Sequence, residues 1–319
     1  MVPIEETLNA FLELIKDKEP GKAFSRFKSW EYCHLKFVEA HGKEHLTEEE
    51  KDILSLHLSF YLASWGMYRG SSFILQRDYK AHRGIVDIVL KHNYDELWDF
   101  DPSTVDESTF RRVAEKAHKA YLDIENHGYG EIPERFILEE PSPEEQQVEN
   151  QGQNNVAKPI SYTLITKILM GTFAITPAFD RFLIDGIKKY NTAHSSALGK
   201  GSTYSVEKMV KLFKFAKENA QTLNLANDTT DFPYPLMKKV DMYFWEVGYE
   251  AGFIETLKGL KKDLEDKDLI NFVDSKKKRM LLKTKHQIKS FITDSLSRQG
   301  NDLDVINSFI TEIQTRVRP

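Results

Sequence analysis

A single carboxylate between two apolar stretches is the feature of this sequence best suited to chemistry. The segment 166–190 reads TKILMGTFAITPAFDRFLIDGIKKY, and its Pro-containing turn delivers Asp180 to the start of a second apolar run. Burial and a helix N-terminus both change how strongly a carboxylate holds its proton. Such an Asp is a candidate catalytic group. The simpler interpretation is that Asp180 only N-caps the helix that follows, as Asp commonly does.

A second segment supplies side chains for a binding pocket. The segment 57–76 reads HLSFYLASWGMYRGSSFILQ, an apolar run that ends in aromatic residues and then in a small polar turn. Aromatic rings stack on flat ligands, while Arg and Gln bind their polar edges. The alternative is a helix packed into the core, since Trp and Tyr are often buried. The candidate residues for a pocket or a wedge are Trp65, Tyr68, Arg69, Ser71, Ser72 and Gln76.

Two further segments are strongly biased in charge. The segment 139–157, EEPSPEEQQVENQGQNNVA, has five acids and no bases, which predicts a flexible insertion or linker. The segment 275–289, SKKKRMLLKTKHQIK, has seven basic residues and no acids. It predicts either a solvated helix face or a surface that contacts DNA phosphates. The candidate phosphate contacts in this run are Lys276, Lys277, Lys278, Arg279, Lys283 and Lys285.

Composition excludes several other kinds of chemistry. The only cysteine, Cys33, permits neither an intrachain disulfide nor a cysteine metal cage, and it favours a reducing cytoplasm. The sequence contains no HExxH, GxGxxG or GxxxxGKS motif, so we expect no metal and no cofactor. No apolar run reaches the roughly 20 residues that span a bilayer, so we expect no membrane contact. What remains is a site centred on a carboxylate.

The elements that must position these residues are predicted to be helices. Apolar residues recur at helical spacing in several segments, and no run alternates as a strand would. We therefore expect a mainly α protein with a flexible acidic insertion and a basic C-terminal helical extension. The helices are predicted at 54–68, 108–126, 205–219, 236–249 and 301–317. The predicted blocks are 1–138, the linker 139–157, a block 158–260 that carries Asp180, and the extension 261–319.

The order of these elements resembles the helix-hairpin-helix DNA glycosylase superfamily, which includes endonuclease III and the 8-oxoguanine glycosylases. In that family an apolar helix ends in a polar turn near the base pocket, and LSFYLASWGMYRGSSF is similar to it. A later helix and short turn carry the catalytic Asp, and TKILMGTFAITPAFDRFLI places Asp180 there. The segment KKVDMYFWEVGYEAG resembles the family's aromatic helix that ends in Gly, with Trp245 and Gly248 in place.

The chain also departs from that family. AKPISYTLIT stands where the glycine-containing hairpin signature belongs, and the four-cysteine cluster loop is absent. Lys167 lies closer to Asp180 than the family's lyase lysine does. The resemblance therefore implies a monofunctional glycosylase that acts on double-stranded DNA, with Lys167 and Arg181 at the DNA backbone. Its target would be a damaged or modified base, and the insertion and extension leave room for a bulky modified base of viral DNA. The alternative is a non-enzymatic helical interaction or regulatory protein.

Overall fold

The computed structural model describes residues 3–15, 28–69, 72–130, 160–195, 197–199, 203–225 and 232–263 of the 319-residue chain. Within these ranges the regular elements are all helices and no strand is present, so the predicted mainly α class is confirmed. No helix in the described ranges is long and apolar enough to cross a membrane. The acidic segment 139–157, Ser71, the basic run 275–289 and the predicted helix 301–317 lie outside these ranges.

Ten α-helices lie within the described residues. They are α1 (Ile4–Ile15), α2 (Ser29–His41), α3 (Glu48–Ser64), α4 (Arg83–Val89), α5 (Phe110–His127), α6 (Tyr162–Thr172), α7 (Arg181–Ala193), α8 (Val206–Glu218), α9 (Ala220–Leu225) and α10 (Leu236–Asp263). Short 3-10 helices cover Phe73–Gln76, Tyr79–His82, His92–Leu97 and Glu107–Thr109.

Side-chain caps set where several of these helices begin. Before α3, the hydroxyl of Thr47 accepts from the backbone N–H of Glu50, and the Glu50 carboxylate accepts from the N–H of Thr47. Ser161 caps α6 and Ser205 caps α8 in the same way, each accepting one backbone N–H. Each cap satisfies a donor that has no partner inside the helix.

Helix α3 ends earlier than its apolar pattern predicts. The sequence predicts a helix over 54–68, but the regular helix stops at Ser64. Gly66 has a φ of +76°, a left-handed conformation that terminates helices and that glycine adopts without strain. Trp65 and Tyr68 therefore stand on the turn after the helix rather than on its flank.

Helices α7 and α10 cross in backbone contact at two glycines. A Cβ at Gly186 would lie 1.9 Å from the carbonyl oxygen of Phe244, and a Cβ at Gly248 would lie 1.8 Å from that of Phe182. No larger residue fits at either position without separating the helices. Because Asp180 immediately precedes α7, this crossing fixes it relative to the side chains of α10.

Helices from both sides of the gap 131–159 share one hydrophobic core. Leu58 of α3 and Val113 of α5 belong to the same buried cluster as Ile168 of α6 and Phe244 of α10. Burying each such side chain stabilises the fold by about 1.5–3 kcal/mol. The shared core lets α3, α6, α7 and α10 contribute to one site.

Candidate active site

Asp180 is the N-cap of α7. Its backbone is extended, and its Oδ1 atom accepts hydrogen bonds from the N–H groups of Phe182 and Leu183, both at 3.1 Å. The helix predicted to follow Asp180 begins at Arg181, as the sequence indicates. The cap orients the carboxylate and leaves its second oxygen for another partner.

That partner is Lys167, in the middle of α6. Its ammonium group donates to Oδ2 of Asp180 at 3.0 Å, and the Lys167 side chain is 3% exposed while that of Asp180 is 17% exposed. The resemblance implied that Lys167 contacts the DNA backbone. A buried ammonium group paired with a carboxylate does not present its charge to phosphates outside, so we reassign Lys167 to the site itself.

The turn that carries Asp180 is held at three backbone atoms. The N–H of Phe179 donates to the hydroxyl of Thr166 at 3.0 Å, and the hydroxyl of Thr163 donates to the carbonyl of Phe179 at 3.0 Å. The N–H of Ala178 donates to Oδ1 of Asp241 at 2.9 Å. Two helices, α6 and α10, thus fix the backbone immediately before the carboxylate.

Asp241 belongs to a second buried ion pair. The ammonium group of Lys238, one turn earlier on α10, donates to Oδ2 of Asp241 at 2.7 Å, and the two side chains are 6% and 9% exposed. The two Lys–Asp pairs line one crevice together with Tyr61, Trp65 and Trp245. The volume that water can enter there is about 10 Å³, room for about one water molecule. The crevice is therefore narrow.

Trp65 is the aromatic residue at the centre of this crevice. The ammonium nitrogens of Lys167 and Lys238 lie 5.4 and 5.7 Å from the centroid of its ring, within range of cation–π attraction. Trp245 packs edge-on at 5.9 Å. Burial raises the pKa of Tyr61 well above its usual value, and the nearby charge of Asp241 raises it further. Tyr61 therefore stays a neutral phenol.

The other residues of the aromatic segment point elsewhere. The Tyr68 hydroxyl is hydrogen-bonded to Nε2 of His82 at 2.7 Å, and Nδ1 of His82 is bonded to the Tyr129 hydroxyl at 2.8 Å.

The remaining candidates of this segment lie at or near the surface. Arg69 and Gln76 are exposed, and Ser72 is half-buried. Of the five described pocket candidates, the structure places only Trp65 beside Asp180.

Arg181 differs from its neighbour Lys167. It is exposed at the first position of α7, and its guanidinium carbon lies 4.8 Å from the centroid of the Phe182 ring. A positive group at this place stands on the surface next to the carboxylate in the chain. The predicted contact of Arg181 with a phosphate stays a prediction.

A buried polar cluster supports the crevice from α2. The indole N–H of Trp30 donates to the carbonyl of Met170 at 2.8 Å, and Nδ1 of His34 donates to that of Thr172 at 2.6 Å. Burial lowers the pKa of His34 to about 4, and nearby Lys238 also lowers it. Lys238 also lies 5.1 Å from the centroid of the Trp30 ring. These bonds attach α2 to the C-terminal end of α6.

Sequence reasoning missed Lys238 and Asp241 as site residues. The sequence predicts a helix over 236–249, and KKVD stands at its start. Charged residues in an otherwise apolar helix are the signal that could have found this pair, since buried charges need partners. In the described ranges, no group of three or more His, Cys, Asp or Glu residues is arranged to hold a metal ion.

Comparisons with protein-family models, with curated proteins and with solved structures gave no match to this chain.

Proposed function

We propose that this protein is a monofunctional DNA glycosylase and that Asp180 is its catalytic carboxylate. The observation that carries the proposal is the fixation of Asp180 in a narrow crevice with aromatic walls. Two backbone N–H groups and the Lys167 ammonium hold its oxygens. Asp180 is more exposed than Lys167, at 17% against 3%, so a group that approaches from outside meets the carboxylate first.

Hydrolysis of an N-glycosidic bond builds positive charge on the sugar in the transition state. A carboxylate that is already oriented stabilises this charge without reorganising, and the effect is larger where water is excluded. The target nucleotide would leave the duplex, because its glycosidic bond is inaccessible inside the stack. Asp180 would then face the sugar and orient the attacking water.

The proposal includes double-stranded DNA as the partner and the cytoplasm as the place of action. Arg181 is exposed and follows Asp180 directly in the chain. The run 275–289 supplies seven further positive charges, enough to hold several phosphates. The substrate is a damaged or modified base, with the bulky modified bases of viral DNA among the candidates.

Release of free bases tests this function directly. The full chain is incubated with duplexes that carry damaged bases and with DNA that carries modified pyrimidines, and the released bases are identified by mass spectrometry. We expect release from at least one substrate. Asp180→Asn should abolish it, whereas Asp185→Asn, a change at a half-buried Asp on the same helix, should retain it. Absence of release from every substrate would count against the proposal.

One observation favours a second candidate function, that of a non-enzymatic interaction protein. Helices α2 and α3 pack side by side, and each exposes large apolar residues to solvent. Exposed apolar patches commonly mark partner surfaces. The residues are Tyr32, Leu35 and Val38 on α2, and Ile53, Leu56 and Phe60 on α3. Base release by the wild-type protein and none by Asp180→Asn would decide for the enzyme.

A further inference from the structure

Two buried ammonium groups converge on a single ring. Lys167 on α6 and Lys238 on α10 lie 5.4 and 5.7 Å from the centroid of the Trp65 indole. Their side chains are 3% and 6% exposed, and each keeps its own Asp partner. The walls of this slot stand on two helices of the core, whereas the ring that fills it stands on a turn.

Such a slot favours any flat ring whose face attracts cations, and the tryptophan side chain is one such ring. A cation is attracted to the electron-rich face of an aromatic ring, and the attraction grows where water is excluded. Indole and the amino- or oxo-substituted purine bases are flat and fused and carry N–H donors at their edges, and the substituents of these bases feed electron density into the ring. The carboxylates of Asp180 and Asp241 line the same crevice, where they can accept such donors.

Trp65 is the member of the slot that stands on a turn rather than within a helix. The helical hydrogen bonds of α3 end here, because Gly66 follows with a φ of +76°. Trp65 is half-buried, whereas Tyr61, which lines the same crevice, is 2% exposed. With the indole in place, the water-accessible volume is about 10 Å³, so a second ring enters only when the indole moves out.

We infer that Trp65 occupies a binding slot for a flat, electron-rich heteroaromatic ring of the purine type. The ligand ring takes the place of the indole, with its face toward Lys167 and Lys238. The inference rests on the proposed function, in which that ring is the extruded base. It adds to that function the ring class that the crevice accepts and the residue that holds the slot in the free protein.

A cavity made at Trp65 tests the inference without DNA. Trp65→Ala is titrated by calorimetry with indole and with quinoxaline, a fused bicycle of similar size and lower electron density. We expect the variant to bind indole about fivefold more tightly than quinoxaline, as an attraction between cations and a ring face predicts. Equal affinity for the two probes, or binding of neither, would overturn the inference.

Trp98→Ala provides the matched control. Trp98 is 9% exposed, and its ring packs on the rings of Phe173 and His41. In the described part of the chain, no ammonium group lies over it. Its cavity should accept either probe with affinities that differ less than those of Trp65→Ala. If both cavities prefer indole to the same extent, Lys167 and Lys238 are not the cause of the preference.

A second variant tests the lysines themselves. Lys238→Met together with Asp241→Asn removes the ion pair, while the Asn amide oxygen can still accept from the N–H of Ala178. In the Trp65→Ala protein this change should weaken indole binding about fivefold and leave quinoxaline binding nearly unchanged. Unchanged indole binding would exclude Lys238 from the slot.

The outcomes for the slot and for the enzyme are separable. If Trp65→Ala is unfolded in buffer, the titration is followed by circular dichroism, and indole should restore the helical signal; no restoration counts against the slot. If the protein releases no base but Trp65→Ala prefers indole, the binding slot is supported and the glycosylase activity is refuted. If the protein releases a base but Trp65→Ala shows no preference for indole, the glycosylase activity is supported and the binding slot is refuted.

Discussion

The ammonium nitrogen of Lys167 lies 3.0 Å from a carboxylate oxygen of Asp180, thirteen residues later in the chain. The contact crosses from the middle of α6 to the residue that starts α7. It joins two charges of very different exposure, 3% for the lysine side chain and 17% for the aspartate. Replacing Asp180 and replacing Lys167 should therefore change the stability of the fold by different amounts.

We expect Asp180→Asn to destabilise the fold more than Lys167→Met. The Asn variant keeps the N-cap but leaves a buried ammonium group without an opposite charge, which costs about 3–5 kcal/mol. The Met variant leaves a carboxylate that still accepts two backbone N–H groups. Urea denaturation of both single variants and of the double variant measures the coupling. Strictly additive losses would mean that the pair contributes nothing to stability.

The sequence predicts the start of α7 but not the contact with Lys167. Asp180 stands before an apolar helical pattern, a local signal that depends on a few neighbouring residues. The Lys167 contact depends on the path of the turn, which Thr166 and Asp241 fix through tertiary hydrogen bonds. The sequence does not predict that Lys238 lies at this site, for a similar reason. Only the crossing of α7 and α10 shows that its charge is buried beside the same crevice.

Stability should fall as the pH is lowered from about 6.5 toward 4. Burial lowers the pKa of His34 and of His82 to about 4, against a usual value of 6.5. Between these values the unfolded chain binds protons that the folded protein does not, so acid favours unfolding. Each His contributes up to about 3 kcal/mol, fully present above pH 6.5 and lost as the pH approaches 4.

Denaturation of His82→Gln across this pH range checks the assignment. Glutamine carries a donor and an acceptor for the hydroxyls of Tyr68 and Tyr129 but does not titrate. About half of the pH dependence between 6.5 and 4 should disappear. His92→Gln serves as the control, since the His92 side chain is 92% exposed. A His82→Gln protein with the full wild-type pH dependence would contradict the role of His82.

Gly186→Ala should be strongly destabilising. The added Cβ would lie 1.9 Å from the carbonyl oxygen of Phe244, a backbone atom that cannot move without separating α7 from α10. We expect a loss of about 3 kcal/mol or more in the free energy of unfolding. Gly42→Ala is the control, because its Cβ would stand 3.8 Å from its nearest neighbour, the carbonyl oxygen of Glu39. Comparable stability of the two variants would contradict the close crossing.

The last prediction concerns the basic run 275–289 and DNA. If Lys276, Lys278 and Arg279 contact phosphates, their joint replacement by Glu should weaken binding to all duplexes about equally. The slope of log affinity against log salt should flatten by about 0.9 per lost contact. Reversal of Lys43, Lys91 and Lys119, three exposed lysines of the front block, is the matched control. Fluorescence anisotropy at several salt concentrations measures both slopes.

The opposite outcome would also be informative. If the basic-run variant keeps the wild-type affinity and slope, the run is a solvated face and DNA is bound elsewhere. Arg181 would then be the next position at which to reverse the charge.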